Sequence, residues 1–337
     1  MISVLAGSIR SRFLDWNRIR IPFPMKKLVS FFILLSVLPA IANRHPFDRE
    51  GVFKAFGMNF DAVEVKAEKV GDGLYVLFGA GGNIAASIGE DGVLIVDNQF
   101  PEVMPKLLKT ITELGGAGVD FAINTHWHFD HADGNMALGP AGTKLISQER
   151  ARTDMAKGGV INMVRFKYDQ EPYHTSALPQ ITFQENMHLH YNGERIDLLH
   201  FGPAHTTGDT AVIFRGHNAI HMGDVFNNTG YPFIDADSGG DIDGMILFVE
   251  AALAQIDEDT VVIPGHGPVT DYARMEAYVN MLTTVRDRIS KLVDAGKSLE
   301  EVAASNPTAG FEASFGEVYK SLGFIDRVYT SLKKKQR

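Results

Sequence analysis

The segment 126–131, with the sequence HWHFDH, constrains this chain more than any other. It carries three imidazoles and one carboxylate within six positions, and these side chains are common ligands of transition metals. Residues 119–125 predict a β-strand, so the segment would lie at the C-terminal end of a strand, where loop backbone can direct several side chains to one point. The sequence therefore predicts a metal site at a strand end.

Further candidate ligands follow other predicted strands. His126 and His128 are separated by one residue, and alternate residues of an extended segment face the same way. His205 comes after the predicted strand 196–199 and could supply a third imidazole. Three histidines with one open position are typical of a catalytic zinc rather than a structural one. The candidates for a second cation are Asp130, His131, Asp224 and His266.

Two neighbouring cations would favour one kind of chemistry. Asp224 has two carboxylate oxygens, so it could bridge two ions about 3.5–4 Å apart. Such a pair lowers the pKa of a shared water, which supplies hydroxide, and it stabilises the oxyanion of a tetrahedral intermediate. Asp130 would hold the second ion and orient the hydroxide, and it would later pass a proton to the leaving group. The pattern therefore favours hydrolysis of an acyl bond.

The remaining pattern predicts a layered fold. A first series of β-rich runs, with Asp91-Gly92 as a hairpin turn, is followed by apolar residues at helical spacing in 101–114 and another helix from about Gly134. A second β-rich series begins near Ile181. Two sheets packed together with helices outside satisfy this order. The predicted strands are 74–78, 84–88, 93–96 and 119–125 in the first series, and 196–199, 210–214, 219–222 and 261–264 in the second.

The last part of the chain predicts helices. An apolar stripe runs through 275–292 and ends at Gly296, and Ser298 with Glu301 forms a capping-box pattern. Residues 311–332 predict a further helix. We interpret the stripe as core packing, with a wall of the substrate cleft or a dimer surface as the alternatives.

The N-terminus has the features of a signal peptide. Met25-Lys26-Lys27 precedes an apolar run at 28–38 and small residues up to Ala42. The apolar run is about half the length that spans a bilayer. We therefore expect cleavage after Ala42, a periplasmic or secreted protein and no stable membrane association after cleavage, with a membrane-anchored N-terminus as the alternative. The predicted divisions are an N-terminal extension with the signal peptide at 1–42, a catalytic domain at 43–270 and a C-terminal helical extension at 271–337.

The net charge and the lack of cysteine limit which partners and metal ligands the protein can have. The chain has a net charge of −9, and loss of residues 1–42 would remove six basic residues and one acidic residue, which brings it to −14. Such a protein is a poor partner for nucleic acid or an anionic membrane, so we expect a small-molecule substrate. The sequence contains no cysteine, and any metal must therefore be held by nitrogen and oxygen ligands. The oligomeric state stays open.

At these residues the chain resembles the metallo-β-lactamase superfamily. The matching motifs are T-H-x-H-x-D-H at 125–131, G-P-A-H-T at 202–206, G-D at 223–224 and P-G-H-G at 264–267, with Val96-Asp97 at an earlier strand end. The resemblance implies an α/β (α+β) fold, a four-layer αββα sandwich with two Zn²⁺ ions per chain at one edge. It also implies that one metal is held by His126, His128 and His205, the other by Asp130, His131 and His266, and that Asp224 is shared.

The motifs resemble two groups of enzymes with different substrates. The 202–206 segment and the signal peptide favour a lineage similar to the B1 β-lactamases, which open cyclic amides. Those enzymes carry a cysteine at the place of Asp224 and typically a lysine three residues later, where this chain has Asn227. Asp224 and His131 look instead like the lactonase and glyoxalase II branches. The sequence thus predicts a β-lactamase-like hydrolase, with a lactonase or a thioester hydrolase as the alternative.

Three other functions are possible on such a fold. An iron-dependent oxidoreductase, such as a persulfide dioxygenase, uses fewer ligands than the seven candidates here. A metal-binding scaffold without turnover is disfavoured because none of the expected ligands is missing. A phosphodiesterase or nuclease is disfavoured by the acidic charge.

Several further residues are expected to support the site. Asp97 would hold the metal loops through hydrogen bonds, and Asp209 would steady its own turn. His200 and His221 are expected to pack near the site, whereas the pair His188 and His190 predicts an exposed strand. Trp127 and Phe129 predict core or cleft wall. The glycine-rich loop 231–240 could flank the cleft, or it could be a plain surface connection.

Overall fold

Two β-sheets face each other at the centre of the fold. The computed structural model describes residues 45–316 and 318–336, without the side chains of 318–320, so the predicted signal peptide and its cleavage site lie outside the described residues. In chain order the strands are β1 (Lys66–Gly71), β2 (Leu74–Phe78), β3 (Ile84–Gly89), β4 (Gly92–Val96), β5 (Phe121–Asn124), β6 (Lys144–Gln148), β7 (Gly159–Asn162), β8 (Lys167–Gln170), β9 (Ile181–Phe183), β10 (Asn186–Tyr191), β11 (Glu194–Leu199), β12 (Ala211–Phe214), β13 (Ala219–His221), β14 (Val261–Ile263) and β15 (Thr270–Asp271).

The two sheets have similar topologies. The first has the order β1-β2-β3-β4-β5-β6-β9, and the second has the order β10-β11-β12-β13-β14-β15. Each begins as an antiparallel meander and then turns parallel, from β4 to β9 in the first sheet and at β13–β14 in the second. Parallel neighbours place their C-terminal ends at the same edge, so the loops that follow them meet there. Strands β7 and β8 form a separate two-stranded hairpin.

Helices cover the outer face of each sheet. They are α1 (Arg49–Phe56), α2 (Met104–Glu113), α3 (Phe129–Ala132), α4 (Asn135–Leu138), α5 (Glu149–Lys157), α6 (Ile242–Leu253), α7 (Tyr272–Asp294), α8 (Leu299–Ala304), α9 (Glu312–Phe315) and α10 (Val318–Lys335).

Three apolar clusters correspond to the three interfaces between four layers. Leu94 and Val96 of β4 point into the cluster between the sheets, while Ile95 packs with the helices on the outside of the first sheet. In β12, Val212 faces the other sheet and Ile213 faces the second set of helices. This alternation follows from the two-residue period of a strand, and both faces of these strands are therefore buried. The predicted αββα sandwich with C-terminal helices is confirmed.

The C-terminal helices pack on the second sheet. In α7 the stripe residues Met275, Tyr278 and Leu282 are fully buried in the same cluster as Phe248 of α6 and Phe324 of α10. The interpretation of the stripe as core packing is therefore confirmed. The capping box is present as well, because the Ser298 hydroxyl accepts from the Glu301 amide and the Glu301 carboxylate accepts from the Ser298 amide.

Several predicted boundaries differ from the structure for local reasons. The helix predicted from Gly134 is the single turn α4, and Gly139-Pro140 ends it. The helix predicted over 311–332 is divided into α9 and α10 at Gly316, whose φ is 105°. The hairpin of β3 and β4 turns at Glu90-Asp91, one residue earlier than the predicted Asp91-Gly92, because Gly89 pairs with Gly92. Within the described residues, no helix is both long and apolar enough to cross a membrane.

Candidate metal centre

The candidate ligands all lie in segments that leave strand ends at one edge of the sandwich. Strand β5 leads directly into the turn with His126 and His128, and α3 continues from there. On the second sheet, His205 follows β11, and Asp224 lies in a short 3₁₀ turn after β13. His266 follows β14, the parallel neighbour of β13. The topology therefore brings together segments that are as far apart as residues 126 and 266.

The seven candidates converge. Ligand atoms of three side chains lie within 4.8 Å of one another in each of three overlapping groups, which are His126, His128 and His205; His126, His131 and Asp224; and Asp130, His131 and His266. The first group is fully buried, and the third opens toward solvent through Asp130 and His266. The structure thus places every predicted ligand at one site, and their roles as ligands stay a prediction.

Asp224 lies between the two outer groups. Its Oδ1 is 3.1 Å from Nε2 of His131 and 3.4 Å from Nε2 of His266. Its Oδ2 is 3.7 Å from Nε2 of His205. One carboxylate oxygen therefore faces the Asp130 group and the other faces the three-histidine group, as the shared position requires.

Hydrogen bonds on the outer side of the imidazoles fix which nitrogen faces inward. The Thr125 hydroxyl donates to Oδ2 of Asp97 at 2.8 Å, so it can only accept from Nδ1 of His126 at 2.9 Å. Nε2 of His126 is then unprotonated. It is buried, and it has no hydrogen-bond partner among the described residues. A buried acceptor without a donor is unfavourable unless a cation meets it.

The same reasoning applies to the other histidines of the first group. His205 donates from Nδ1 to the carbonyl of Phe233 at 2.9 Å, and His128 donates from Nε2 to Asp235 at 3.1 Å. Their remaining nitrogens, Nε2 of His205 and Nδ1 of His128, face each other at 2.9 Å. Two unprotonated nitrogens at this distance repel each other unless a cation is bound beside them. The donor set of the first group therefore fits a metal ion.

The electrostatics of the Asp130 group also fit a cation. Burial disfavours the negative charge of Asp224, but the neighbouring imidazoles of His266 and His131 hold the pKa of Asp224 well below its ordinary value. In turn Asp224 and Asp130 raise the pKa of His266 to about 10 and that of His131 well above its ordinary value. Without a metal, protons on the imidazoles balance the carboxylates. A divalent cation could replace those protons.

In the group of His126, His128 and His205, the pKa of two imidazoles is lowered instead of raised. Burial lowers the pKa of His126 well below its ordinary value, and positive charge on His131 adds to the effect. Burial also lowers the pKa of His205. These imidazoles are therefore neutral at ordinary pH, which is the form that binds a metal.

Asp97 supports both halves of the 126–131 turn. It is fully buried, and its carboxylate accepts from the amide and hydroxyl of Thr125 and from Nδ1 of His131, the last at 2.7 Å. Its φ is 63°, an uncommon backbone conformation that places it at the end of β4. The expectation that Asp97 holds the loops by hydrogen bonds agrees with these contacts.

Asp209 steadies the loop of His205. Its carboxylate accepts from the amides of Ala204 and Thr206 and from the Thr206 hydroxyl. His200 holds the same loop, because its Nδ1 donates to the carbonyl of Asp209 at 2.7 Å. Both residues therefore act on the position of His205.

Other supports act on Asp224. His221 accepts from the amide of Gly223 through Nδ1 and donates to the carbonyl of Asn83 through Nε2. It thus fixes the turn that carries Asp224. A side chain at Gly265 would place a Cβ 2.1 Å from Oδ1 of Asp224, so only glycine permits this approach.

Asp235 is a site residue that sequence analysis did not single out. It is fully buried and receives the Nε2 proton of His128. The glycine-rich loop was expected as a possible flank of the cleft, and Tyr231, Pro232 and Phe233 do line it. A carboxylate 107 positions from its histidine leaves no local signal in the sequence.

Two aromatic residues near the candidate site and two histidines of β10 lie where the sequence predicted them. Trp127 is buried in the core, and Phe129 is buried beside the cleft. His188 and His190 lie exposed on β10, and His188 pairs with Asp197 at 2.8 Å. The predictions of core or cleft wall for Trp127 and Phe129 and of an exposed strand for His188 and His190 are confirmed.

The chain belongs to the metallo-β-lactamase superfamily, since residues 77–266 match the model of that family. It is similar to the crystal structure of DIM-1 metallo-β-lactamase, with 20% identity, a TM-score of 0.53 and coverage of 66% of this chain and 99% of that chain. A metallo-β-lactamase from Pontibacter korlensis is similar at 17% identity and a TM-score of 0.54, with coverage of 65% and 99%. At these identities the structural likeness shows the fold. The family and the ligand groups support a metal-dependent hydrolase.

Proposed function

We propose that this chain is an exported hydrolase that holds two zinc ions and opens an acyl bond of a small molecule. The proposal depends most on the convergence of seven nitrogen and oxygen ligands in overlapping groups that share Asp224. His126, His128 and His205 would hold one ion, and Asp130, His131 and His266 the other. Imidazole and carboxylate are usual zinc ligands, and bound zinc supplies a Lewis acid and lowers the pKa of a water.

Asp130 is the residue that would handle protons. Its side chain is 22% exposed toward the cleft, so it can accept a hydrogen bond from a water there. Burial opposes its charge, but His131 and His266 hold the pKa of Asp130 below its ordinary value, and it is therefore an anion at neutral pH. The oxygen of the water would bond to the acyl carbon as the bond to the leaving atom breaks. Asp130 would carry one water proton to that atom, and the second would leave from the product acid.

Two substrate classes are candidates. A cyclic amide is favoured by the motifs and by the resemblance to β-lactamases. A lactone or thioester is favoured by a specific observation, namely that Asp224 rather than a thiolate faces both ligand groups. Either class requires the same water attack on an acyl carbon.

Metal analysis and a hydrolysis panel test the proposal together. The purified protein is expected to contain about two zinc ions per chain and to hydrolyse at least one of a carbapenem, a homoserine lactone and a glutathione thioester. A fully zinc-loaded protein that hydrolyses none of these classes would overturn the hydrolase proposal. Iron without zinc in the protein from its native host would instead favour the oxidoreductase alternative.

Export is tested separately. N-terminal sequencing of protein from the periplasm or medium of expressing cells is expected to begin at Asn43. Uncleaved protein in the membrane fraction would favour the anchored alternative.

A further inference from the structure

The walls of the cleft beside the candidate metal centre are apolar. The cleft has a volume of about 370 Å³, which is within the range of pockets for small ligands. Separate parts of the chain build its walls. The apolar lining residues include Phe56 at the end of α1, Phe129 in α3, Ile161, Met163 and Val164 of the β7–β8 hairpin, Pro232 and Phe233 in the loop before α6, and Phe324 in α10.

Phe56 is exposed at the mouth of this cleft. Its ring packs at 5.1 Å against Phe166 and at 6.4 Å against Phe129, yet 51% of the residue remains exposed. On the opposite side, Phe324 stacks on Tyr231 at 5.7 Å with an interplanar angle of 18°. An apolar ligand group between these walls would cover ring surface that solvent now contacts, which is favourable.

The turn of the β7–β8 hairpin has an unusual backbone. Val164 has a φ of 66°, which a β-branched residue rarely adopts. The turn is held by hydrogen bonds from the Val164 amide to the Asn162 side-chain oxygen and from the Arg165 amide to the Met163 carbonyl. Met163 and Val164 both line the cleft, whereas Arg165 does not. Backbone strain of this kind is often found at ligand clamps.

Lysine and arginine are absent from the lining in the part of the chain whose side chains are described, and its two histidines belong to the candidate ligand groups. Among the described residues, the titratable groups of the lining are Tyr231 and the candidate ligands Asp130, Asp224, His128 and His266. Arg327, one turn beyond Phe324, is only 4% exposed and pairs with Asp237 at 2.8 Å. A substrate carboxylate placed against the aromatic wall would therefore lose water without gaining a cation.

We infer that this enzyme prefers acyl substrates whose acyl group is apolar and carries no negative charge. The inference rests on the proposed hydrolase function and narrows it. Within the amide, lactone and thioester classes, it disfavours members whose acyl group places a carboxylate against the apolar wall. The apolar wall would determine which acyl group binds, whereas the candidate ligand groups would hold the metal ions that promote hydrolysis.

A matched pair of esters tests this preference. 4-Nitrophenyl hexanoate and mono-4-nitrophenyl adipate share a leaving group and a six-carbon acyl chain, and only the adipate ends in a carboxylate. With the zinc-loaded full chain, kcat/KM is expected to be at least about 10-fold higher for the hexanoate, and to rise from acetate to hexanoate as apolar contact grows. Equal or faster hydrolysis of the adipate would overturn the inference and leave the hydrolase proposal intact.

Asn227 offers a way to change the charge of the wall. It lines the cleft three residues after Asp224, and among the described residues its side chain accepts hydrogen bonds from the amide and hydroxyl of Thr229. Asn227→Lys is expected to raise the adipate-to-hexanoate ratio of kcat/KM by about 10-fold, because it supplies the missing cation. Asn227→Gln, the neutral control, should leave the ratio near that of the unmodified protein. An unchanged ratio in the folded, zinc-loaded lysine variant counts against the inference.

A binding measurement keeps the inference testable without turnover. Hexanamide and adipamic acid differ in the same terminal group as the esters, and ligand-observed NMR with the zinc-loaded protein reports their affinities. Tighter binding of hexanamide supports the apolar preference even if no ester is hydrolysed, and the hydrolase proposal is then decided by the panel of carbapenem, lactone and thioester. Tighter binding of adipamic acid overturns the preference itself.

Discussion

The candidate ligand groups and the cleft wall are adjacent regions that differ in polarity, burial and position in the chain. Four of the candidate ligands, His126, His128, His131 and His205, are buried and hydrogen-bonded on their outer side. All seven candidates lie within or at the end of the segment that matches the family, residues 77–266. The wall is apolar and partly exposed, and two of its residues, Phe56 and Phe324, lie outside that segment. Under the proposed function, the loops at strand ends would hold the metal ions, whereas α1, α10 and the β7–β8 hairpin would select the substrate.

The strongest test of this division is removal of a ligand. His128→Ala and Asp224→Ala are each expected to lower turnover by more than about 100-fold, because loss of a mere support behind a ligand already costs 10–100-fold. Steady-state kinetics and zinc content measure the effect. His190→Ala, at an exposed position on β10, is the matched control and should retain activity. Normal zinc content and turnover in both ligand variants would contradict the assignment.

Metal removal should affect the ligand region more than the wall. A chelator is expected to lower the melting temperature, since a ligand at 100 times its Kd stabilises the folded state by about 2.7 kcal/mol. Calorimetry before and after chelation measures the shift, and hydrogen exchange locates it. We expect faster exchange in 126–131 and little change in the β7–β8 hairpin. A melting temperature that is unchanged by chelation and by added zinc would contradict a metal site.

The support behind His128 should have an intermediate effect. Asp235→Ala removes the acceptor of the Nε2 proton and is expected to weaken zinc binding by about 10–100-fold. Asp235→Asn keeps an acceptor oxygen and should recover part of that loss. Competition with a chromophoric chelator measures the affinity. Asp237→Ala, in the same loop but paired with Arg327, is the control; equal losses in both alanine variants would indicate a general loop defect.

The smallest expected effect is on the wall. Phe56→Ala should lower kcat/KM for an apolar ester about fivefold, through KM, because half of a ring contributes roughly 1 kcal/mol of apolar contact. Zinc content should stay the same. Leu247→Ala, at a 62% exposed position on α6, is the control. An equal effect of Phe56→Ala on acetate and hexanoate esters would argue against a role in specificity.

Sequence patterns predicted the strands of both sheets better than the elements around the cleft. Strands β2, β4 and β12 are buried on both faces and read as apolar runs bounded by turn residues. Helix α6 was not predicted, because its apolar residues lie on most sides, Leu247 included. Strand β1 was also missed because four of its six residues are exposed. The β7–β8 hairpin was missed because each strand has only four residues and no regular alternation of apolar and polar side chains.

The sequence by itself determined the ligand types and their attachment to strand ends, because residue identity, close spacing and turn glycines are local properties. The tertiary structure decided which nitrogen of each imidazole faces inward, since that depends on Asp97, Asp235 and the Phe233 carbonyl, which come from distant segments. It also decided the character of the cleft. Aromatic residues of α1, the hairpin and α10 become one wall only by packing, and no local pattern records which side chains packing leaves beside the metal centre.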